Sequence, residues 1–283
     1  MMNHLPVVYV EHHDETGSLT YLVWDSATRD AVLVDPVLDY HPESGSYSCR
    51  AAESLTAVIE REELRLHYVL ETHIHADHLS SSEFFRNRFG ARLVVGNKVP
   101  ELIVMLRDAL GIRSSAPKPQ HLFDVFVADS EVLVAGSLRI LAMHTPGHTV
   151  ACVSYLIGDS VFVGDVLLPI DQGTGRCDFP SGSSEMLFDS IREVIYTLPG
   201  DTRVFVGHDY QLSGGPASAL TVDECRQSNL HLTDQTPHED FTVFRDDRDK
   251  GLALPRLFKV SVCVNMVGGS YELGQALAAE AAL

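Results

Sequence analysis

The chain has 283 residues, of which 45% are hydrophobic, so it should bury a large core and fold by itself. Its formal net charge of −18 argues against binding to nucleic acid or to an anionic membrane. The first residues lack a signal-peptide pattern and no apolar run could span a bilayer, so we expect a cytoplasmic protein. The five scattered cysteines predict neither a disulfide framework nor a zinc knot.

The hydrophobic pattern alternates between strands and helices along most of the chain. In chain order it predicts strands at 19–24 and 31–36, a helix at 51–64, a strand at 67–72, a helix at 82–90, strand pairs at 131–144 and 152–165, a helix at 185–198 and a strand at 203–210. Ser80 and Glu83 have the spacing of a capping box for the second helix. This order predicts an α/β protein with two packed sheets and helices outside them, a four-layer αβ/βα sandwich.

The pattern changes near residue 214, after a segment rich in Gly and Ser. We predict a main catalytic domain at 1–213 and a mostly helical C-terminal appendage at 214–283, packed on the same domain. The stretch 41–50 has loop composition, and its residues do not indicate a role.

The turn after the 67–72 strand has the pattern HxHxDH and contains four candidate metal ligands: His73, His75, Asp77 and His78. Three more candidates follow other predicted strands: His144, Asp165 and His208. Because each group follows an apolar strand, we expect all seven side chains to meet at one edge of the sheets. Five imidazoles and two carboxylates suit zinc, iron or manganese rather than calcium, which prefers oxygen ligands. His148 is assigned a structural, hydrogen-bonding role.

The order of these motifs resembles the metallo-β-lactamase superfamily, over roughly Leu19 to Tyr210. The resemblance implies the same αβ/βα fold that the strand and helix pattern predicts. The superfamily includes thioester hydrolases such as glyoxalase II, lactamases, ribonucleases, flavodiiron proteins and persulfide dioxygenases. Because these enzymes share the same metal ligands, the ligands alone do not indicate which activity this chain has.

Three further strings are similar to the persulfide dioxygenase family. They are GTGRCDF at 173–179, VFVGHDY at 204–210 and LALPRLFKVSVCVNM at 252–266. Two cysteines that often accompany this family's pattern are replaced by Thr174 and Gly268, so no redox role is carried over for them.

This second resemblance implies one Fe(II) per chain, held by His73, His144 and Asp165 as a facial triad with three open positions. The implied reaction is the oxidation of glutathione persulfide by O2 to sulfite and glutathione. The remaining candidates would form an inherited second metal site that stays empty and orients the ligands. They are His75, Asp77, His78 and His208.

The substrate carries two carboxylates and approaches a strongly acidic protein, so local cations should assist its binding. Candidates for substrate binding are Arg176, Tyr210 and Arg226. The alternative for Arg176 is a structural ion pair with Asp178, and the alternative for Arg226 is a solvated position on a polar helix. The sulfur would come from a separate rhodanese-type protein or from free persulfide. The sequence also leaves open whether the protein forms a homodimer.

Two other functions remain as alternatives. A glyoxalase II-like hydrolase would use two metals to cleave glutathione thioesters, and all seven ligands permit it. A noncatalytic binding module with the same fold is the third reading, and the intact ligand motifs argue against it.

Overall fold

The computed structural model describes residues 5–114, 118–210 and 219–282. In chain order the strands are β1 (Val7–His13), β2 (Ser18–Trp24), β3 (Asp30–Val34), β4 (Val37–His41), β5 (Ser46–Ser48), β6 (Arg65–Leu70), β7 (Leu79–Ser80), β8 (Arg92–Gly96), β9 (Val125–Val127), β10 (Val132–Ala135), β11 (Leu138–His144), β12 (Val153–Ile157), β13 (Ser160–Gly164), β14 (Arg203–Val206) and β15 (Leu220–Thr221). The α-helices are α1 (Arg50–Arg61), α2 (Ser82–Phe89), α3 (Val99–Ala109), α4 (Ser184–Asp189), α5 (Val222–Ser228), α6 (His238–Asp249), α7 (Phe258–Asn265) and α8 (Tyr271–Glu280). Among the described residues, none of these helices has the length and apolar character needed to cross a membrane.

The strands form two large mixed sheets and one small sheet. One large sheet has the order β1-β2-β3-β6-β8-β9, the other has the order β10-β11-β12-β13-β14-β15, and the small sheet has the order β5-β4-β7. Successive residues of a strand point to opposite faces, so Tyr21 and Val23 pack between the large sheets while Leu22 packs toward α1 and α3. Helices therefore cover the outer faces, and the predicted αβ/βα sandwich is confirmed.

Two parallel strand pairs bring the site loops to one edge of the sheets. β3 pairs with β6, and β13 pairs with β14, both in parallel. Parallel neighbours end at the same edge, so the segments that follow β6, β13 and β14 emerge together. This edge carries the candidate metal ligands.

The start of α2 differs from the prediction. The residue that precedes the helix is Ser81, and its side chain makes no capping hydrogen bond. The hydroxyl of Ser80 instead donates to the Glu71 carboxylate. The predicted Ser80–Glu83 capping box is therefore wrong, because a buried carboxylate competes successfully for the Ser80 hydroxyl.

The C-terminal helices contribute to the main cores. Phe241 of α6 belongs to the cluster between the sheets, while Val262 and Cys263 of α7 belong to the cluster beneath α1 and α3. The predicted boundary between residues 213 and 214 lies outside the described residues, so the division into two parts stays a prediction.

Candidate metal centre

The candidate metal ligands that the structure brings together lie in four loops at the shared sheet edge. The HxHxDH turn follows β6, His148 lies between β11 and β12, Asp165 follows β13 directly, and His208 follows β14. A Cβ atom at Gly207 would lie 2.5 Å from Oδ1 of Asp165, so only glycine lets the two loops approach this closely.

His73, His148 and Asp165 form the first cluster. Nε2 of His73 lies 3.9 Å from Oδ2 of Asp165, and Nε2 of His148 lies 3.7 Å from the same oxygen. One ligand atom from each residue lies within 4.8 Å of the others. Two imidazoles and one carboxylate can bind a single transition metal on one face.

The position of His144 corrects the predicted ligand set. Its backbone N–H donates to Asp129, and its Nε2–H donates to the main-chain oxygen of Val127 at 3.2 Å. Among the described residues it belongs to no cluster of potential metal ligands. The chain turns after β11 and places His148, rather than His144, beside Asp165.

Hydrogen bonds select the tautomers of both imidazoles in the first cluster. Nδ1–H of His148 donates to the main-chain oxygen of Arg176 at 2.7 Å. The hydroxyl of Thr72 donates to Asp35 at 2.7 Å, so Nδ1–H of His73 donates to that hydroxyl at 3.0 Å. Each ring therefore keeps the lone pair of its Nε2 atom for a metal.

A second cluster comprises His75, Asp77 and His78. Oδ2 of Asp77 lies 3.3 Å from Nδ1 of His78, whose Nδ1 also lies 3.1 Å from the Ser18 hydroxyl. Burial alone would raise the pKa of Asp77, but His208 and His78 hold it well below its usual value. His208 lies between the two clusters, with Nε2 3.4 Å from Asp165 and 3.5 Å from Asp77.

His75 is supported by two buried carboxylates. Its Nε2 lies 3.1 Å from Oδ1 of Asp35 and 3.3 Å from Oε2 of Glu71. Burial lowers the pKa of His75, but Asp35 and Glu71 outweigh this effect and raise it well above the usual value. Sequence reasoning missed both carboxylates, although each directly follows a strand in the parallel β3–β6 pair.

The donor atoms fit a metal ion. In the part of the chain that the structure describes, buried atoms without a hydrogen-bond partner include Nε2 of His73, Nε2 of His78, Oδ1 of Asp165 and both ring nitrogens of His208. Such atoms require an explanation in a folded protein, and a bound ion supplies one. Burial, followed by repulsion from His75 and His148, lowers the pKa of His73 well below its usual value, so this ring stays neutral and can coordinate.

The GTGRCDF segment forms a wall beside the first cluster. The Arg176 guanidinium makes two hydrogen bonds of 2.6 Å to Asp178 and one of 2.9 Å to the main-chain oxygen of Ala253. The Phe179 ring meets the His148 ring edge to face at 5.3 Å. Arg176 therefore holds in place a loop that contacts the candidate ligand His148 twice. The main-chain oxygen of Arg176 accepts a hydrogen bond from His148, and the Phe179 ring packs against the His148 ring.

A cleft of about 390 Å³ opens beside Asp165. Arg176 and Tyr210 line it, and the Tyr210 ring, which is 60% exposed, stacks on His208 with a centroid distance of 5.1 Å. Arg226 does not line this cleft, because its guanidinium bonds Asp234 at 2.8 Å. The predicted contact between Arg226 and substrate is therefore not supported.

Three cleft residues were missed by sequence reasoning. Arg248 is exposed there and forms no ion pair with any other residue that the structure describes. Buried Arg245 bonds Asp249 and the main-chain oxygen of Thr174, which supports the GTGRCDF segment from behind. His231 accepts a hydrogen bond at Nδ1 from the Thr174 backbone N–H at 2.9 Å. Their positions depend on how α6 packs, and no local motif marks them.

Comparison with known proteins identifies the class of protein that this fold and site define. The family model described as the metallo-beta-lactamase superfamily matches residues 13–208. The chain therefore belongs to the metallo-beta-lactamase superfamily.

Relatives within the superfamily differ in their names. The beta-lactamase hydrolase-like protein of Xylella fastidiosa (strain Temecula1) is 38% identical over 90% of this chain, which spans only 58% of that protein. Glyoxylase B2 of Dictyostelium discoideum is 36% identical over 93% of this chain and 90% of its own length. The human mitochondrial persulfide dioxygenase ETHE1 is 33% identical over 76% of this chain and 72% of its own length. The crystal structure of ETHE1 from Myxococcus xanthus aligns with a TM-score of 0.73 and 31% identity, over 93% of this chain and 99% of that one.

Proposed function

We propose that the chain is a mononuclear iron dioxygenase that oxidises glutathione persulfide with O2 to sulfite and glutathione. The hydrogen bond from His148 to the Arg176 carbonyl carries the proposal, since it couples a ligand to the segment that resembles persulfide dioxygenases. Similarity to proteins named persulfide dioxygenase gives further support.

His73, His148 and Asp165 would hold the Fe(II) ion. Fe(II) bound there would supply the redox chemistry by which O2 oxidises the terminal sulfur. The balanced reaction places both atoms of O2 on the terminal sulfur, while water supplies the third oxygen of sulfite. The sulfur–sulfur bond breaks, glutathione leaves as the thiol, and two protons are released.

The chain's own residues would bind and orient the substrate. Arg248, which forms no ion pair among the described residues, offers its guanidinium to a glutathione carboxylate, and this offsets the repulsion expected from a net charge of −18. Tyr210 offers a hydroxyl at the mouth of the cleft. Phe179 packs against His148 and keeps water from that side of the ligand.

A dinuclear hydrolase of glutathione thioesters is the second candidate. The partnerless Nε2 atoms of His78 and His208, beside Asp77, favour it because they could hold a second metal. Similarity to proteins named hydrolase-like and Glyoxylase B2 favours it as well.

Metal content and substrate turnover distinguish the candidates. We expect protein loaded anaerobically with Fe(II) to bind about one iron per chain and to consume O2 and release sulfite with glutathione persulfide. Replacing Asp77 with Ala should leave that iron bound and reduce activity by roughly 10- to 100-fold. Two metals per chain, halved by Asp77→Ala, together with hydrolysis of a glutathione thioester, would establish the hydrolase instead. Protein that binds no metal would point to the noncatalytic module.

A further inference from the structure

The C-terminal segment LALPRLFKVSVCVNM places one polar side chain, that of Asn265, behind the metal centre. Asn265 is the last residue of α7 and is only 4% exposed. It lies 187 positions after His78, yet its side chain reaches the HxHxDH turn. Helix α7 therefore supports the candidate ligands, although it contains none of them.

The side-chain amide of Asn265 makes three hydrogen bonds to the main chain around that turn. Its Nδ2 donates to the main-chain oxygens of His75 and His78, each at 2.8 Å. Its Oδ1 accepts from the backbone N–H of Ser80, also at 2.8 Å. An amide group offers two donors and one acceptor, so it matches these three groups and its orientation is fixed by them.

These hydrogen bonds hold a stretch of main chain that carries metal ligands. His75 and His78, whose main-chain oxygens accept the bonds, form the second cluster together with Asp77 between them. Residues 73–78 belong to no helix or strand, so no ladder of backbone hydrogen bonds holds them. Movement of this main chain would displace all three side chains together, including Asp77, whose Oδ2 lies 3.5 Å from His208.

A close backbone contact at Gly269 holds the end of α7 against the same region. A Cβ atom at Gly269 would lie 3.0 Å from the main-chain oxygen of Ser80 and 3.2 Å from the backbone nitrogen of Glu83. The φ angle of Gly269 is +81°, a conformation that favours glycine. The chain around α7 therefore meets the ligand turn at two points, four residues apart.

We propose that Asn265 is a positioning residue of the metal centre, which fixes the main chain of the HxHxDH turn before a metal binds. It touches neither metal nor substrate and acts through His75 and His78. Ligands that are already ordered lose less conformational freedom on binding, so the amide increases metal affinity without adding charge. The inference requires a metal at this centre but not the persulfide reaction, so it holds equally for a dioxygenase and for a hydrolase.

Asn265→Leu tests the proposal, because it keeps a side chain of similar size and removes all three hydrogen bonds. Tyr196→Phe is the matched control. Tyr196 is also 4% exposed, and its hydroxyl lies 2.7 Å from the main-chain oxygen of Leu232 and 3.2 Å from that of Cys225. Within the described ranges, none of these three control residues belongs to a cluster of potential metal ligands.

Two measurements separate metal binding from folding. Denaturant unfolding of metal-free protein gives the stability, and titration of Co²⁺ against a competing chelator gives the metal affinity. Both variants should be less stable than the wild type, whereas Co²⁺ affinity should fall by roughly 10- to 100-fold only in Asn265→Leu. Co²⁺ affinities that change equally in the two variants, or in neither, would overturn the proposal and leave Asn265 as a residue that only supports the fold.

Amide exchange of the wild-type chain tests the same coupling if Asn265→Leu does not fold. Coupling between two sites is reciprocal, so metal binding should restrain α7 if α7 increases metal affinity. We expect Co²⁺ to slow amide exchange in α7 more than in α1, which also packs in the outer core. Exchange in α7 that slows no more than exchange in α1 would overturn the proposal.

Discussion

Nδ1 of His148 lies 2.7 Å from the main-chain oxygen of Arg176, 28 positions further along the chain. The bond fixes the tautomer of His148 and points its Nε2 toward Asp165. A loop fastened by an arginine therefore aims a candidate metal ligand.

Replacing His148 with Ala should remove the metal, because two of three protein ligands cannot hold the ion well. The loss in affinity should exceed roughly 100-fold, the upper effect of residues that only support ligands. Metal content of purified protein checks this expectation. His144→Ala is the matched control and should keep its metal, since His144 bonds Val127 instead. Metal loss in the control alone would restore His144 as the ligand.

Replacing Thr72 with Val should weaken metal binding by roughly 10- to 100-fold, because the hydroxyl links His73 to Asp35. A metal titration against a competing chelator measures the change. Thr145→Val is a matched control, since the Thr145 hydroxyl lies 2.8 Å from that of Ser154 and, within the described ranges, shares no hydrogen bond with a candidate metal ligand. If both variants bind metal equally well, the link through Thr72 does not orient His73.

Replacing Arg176 with Ala should lower the free energy of unfolding by about 1.5–3 kcal/mol, the typical value of charged hydrogen bonds. It should also lower kcat, because the loop that holds His148 loosens. Asp178→Asn removes the partner carboxylate and should reproduce part of both effects. A variant of unchanged stability that raises only KM would show instead that Arg176 binds substrate.

Replacing Arg248 with Ala should raise KM for glutathione persulfide, because the cleft loses a cation that forms no ion pair among the described residues. Added salt should weaken the wild-type enzyme's affinity by the same mechanism. Steady-state kinetics at low and high ionic strength test both expectations. Arg226→Ala serves as the control, since Arg226 is bound to Asp234. An equal rise in KM in the two variants would point to net charge rather than a local contact.

His231 predicts a specific pH dependence of stability. Burial, together with Arg245 and Arg248, lowers its pKa from the usual 6.5 to about 4. Between these values the unfolded chain binds more protons, so this contribution to stability is complete above pH 6.5 and is lost as the pH falls toward 4. Denaturant unfolding of metal-free protein should show a weaker loss over this range in His231→Asn. Parallel curves for wild type and variant would assign the acid sensitivity to other groups.

The sequence by itself was sufficient to predict the sandwich and most of the candidate site. Alternating apolar strands have a period of two, and that pattern requires no knowledge of distant contacts. Asp165 follows β13 directly and His208 follows β14 after one residue, so their place at the sheet edge follows from strand position alone. The HxHxDH turn is equally local, because four candidates within six positions leave the chain little freedom.

Only the tertiary structure decided between His144 and His148. His144 ends β11 and His148 lies in the turn that follows, so the choice depends on where β11 ends and on a carbonyl contributed by Arg176 from a distant loop. Likewise, the pairing of Arg226 with Asp234 follows from the path of the chain after α5. Burial also determined the hydrogen bond of Ser80, because its hydroxyl donates to the buried Glu71 carboxylate and does not cap α2. In each case the residue could make several different contacts, and a partner from another part of the fold determined which contact it makes. Local sequence patterns carry no information about that partner.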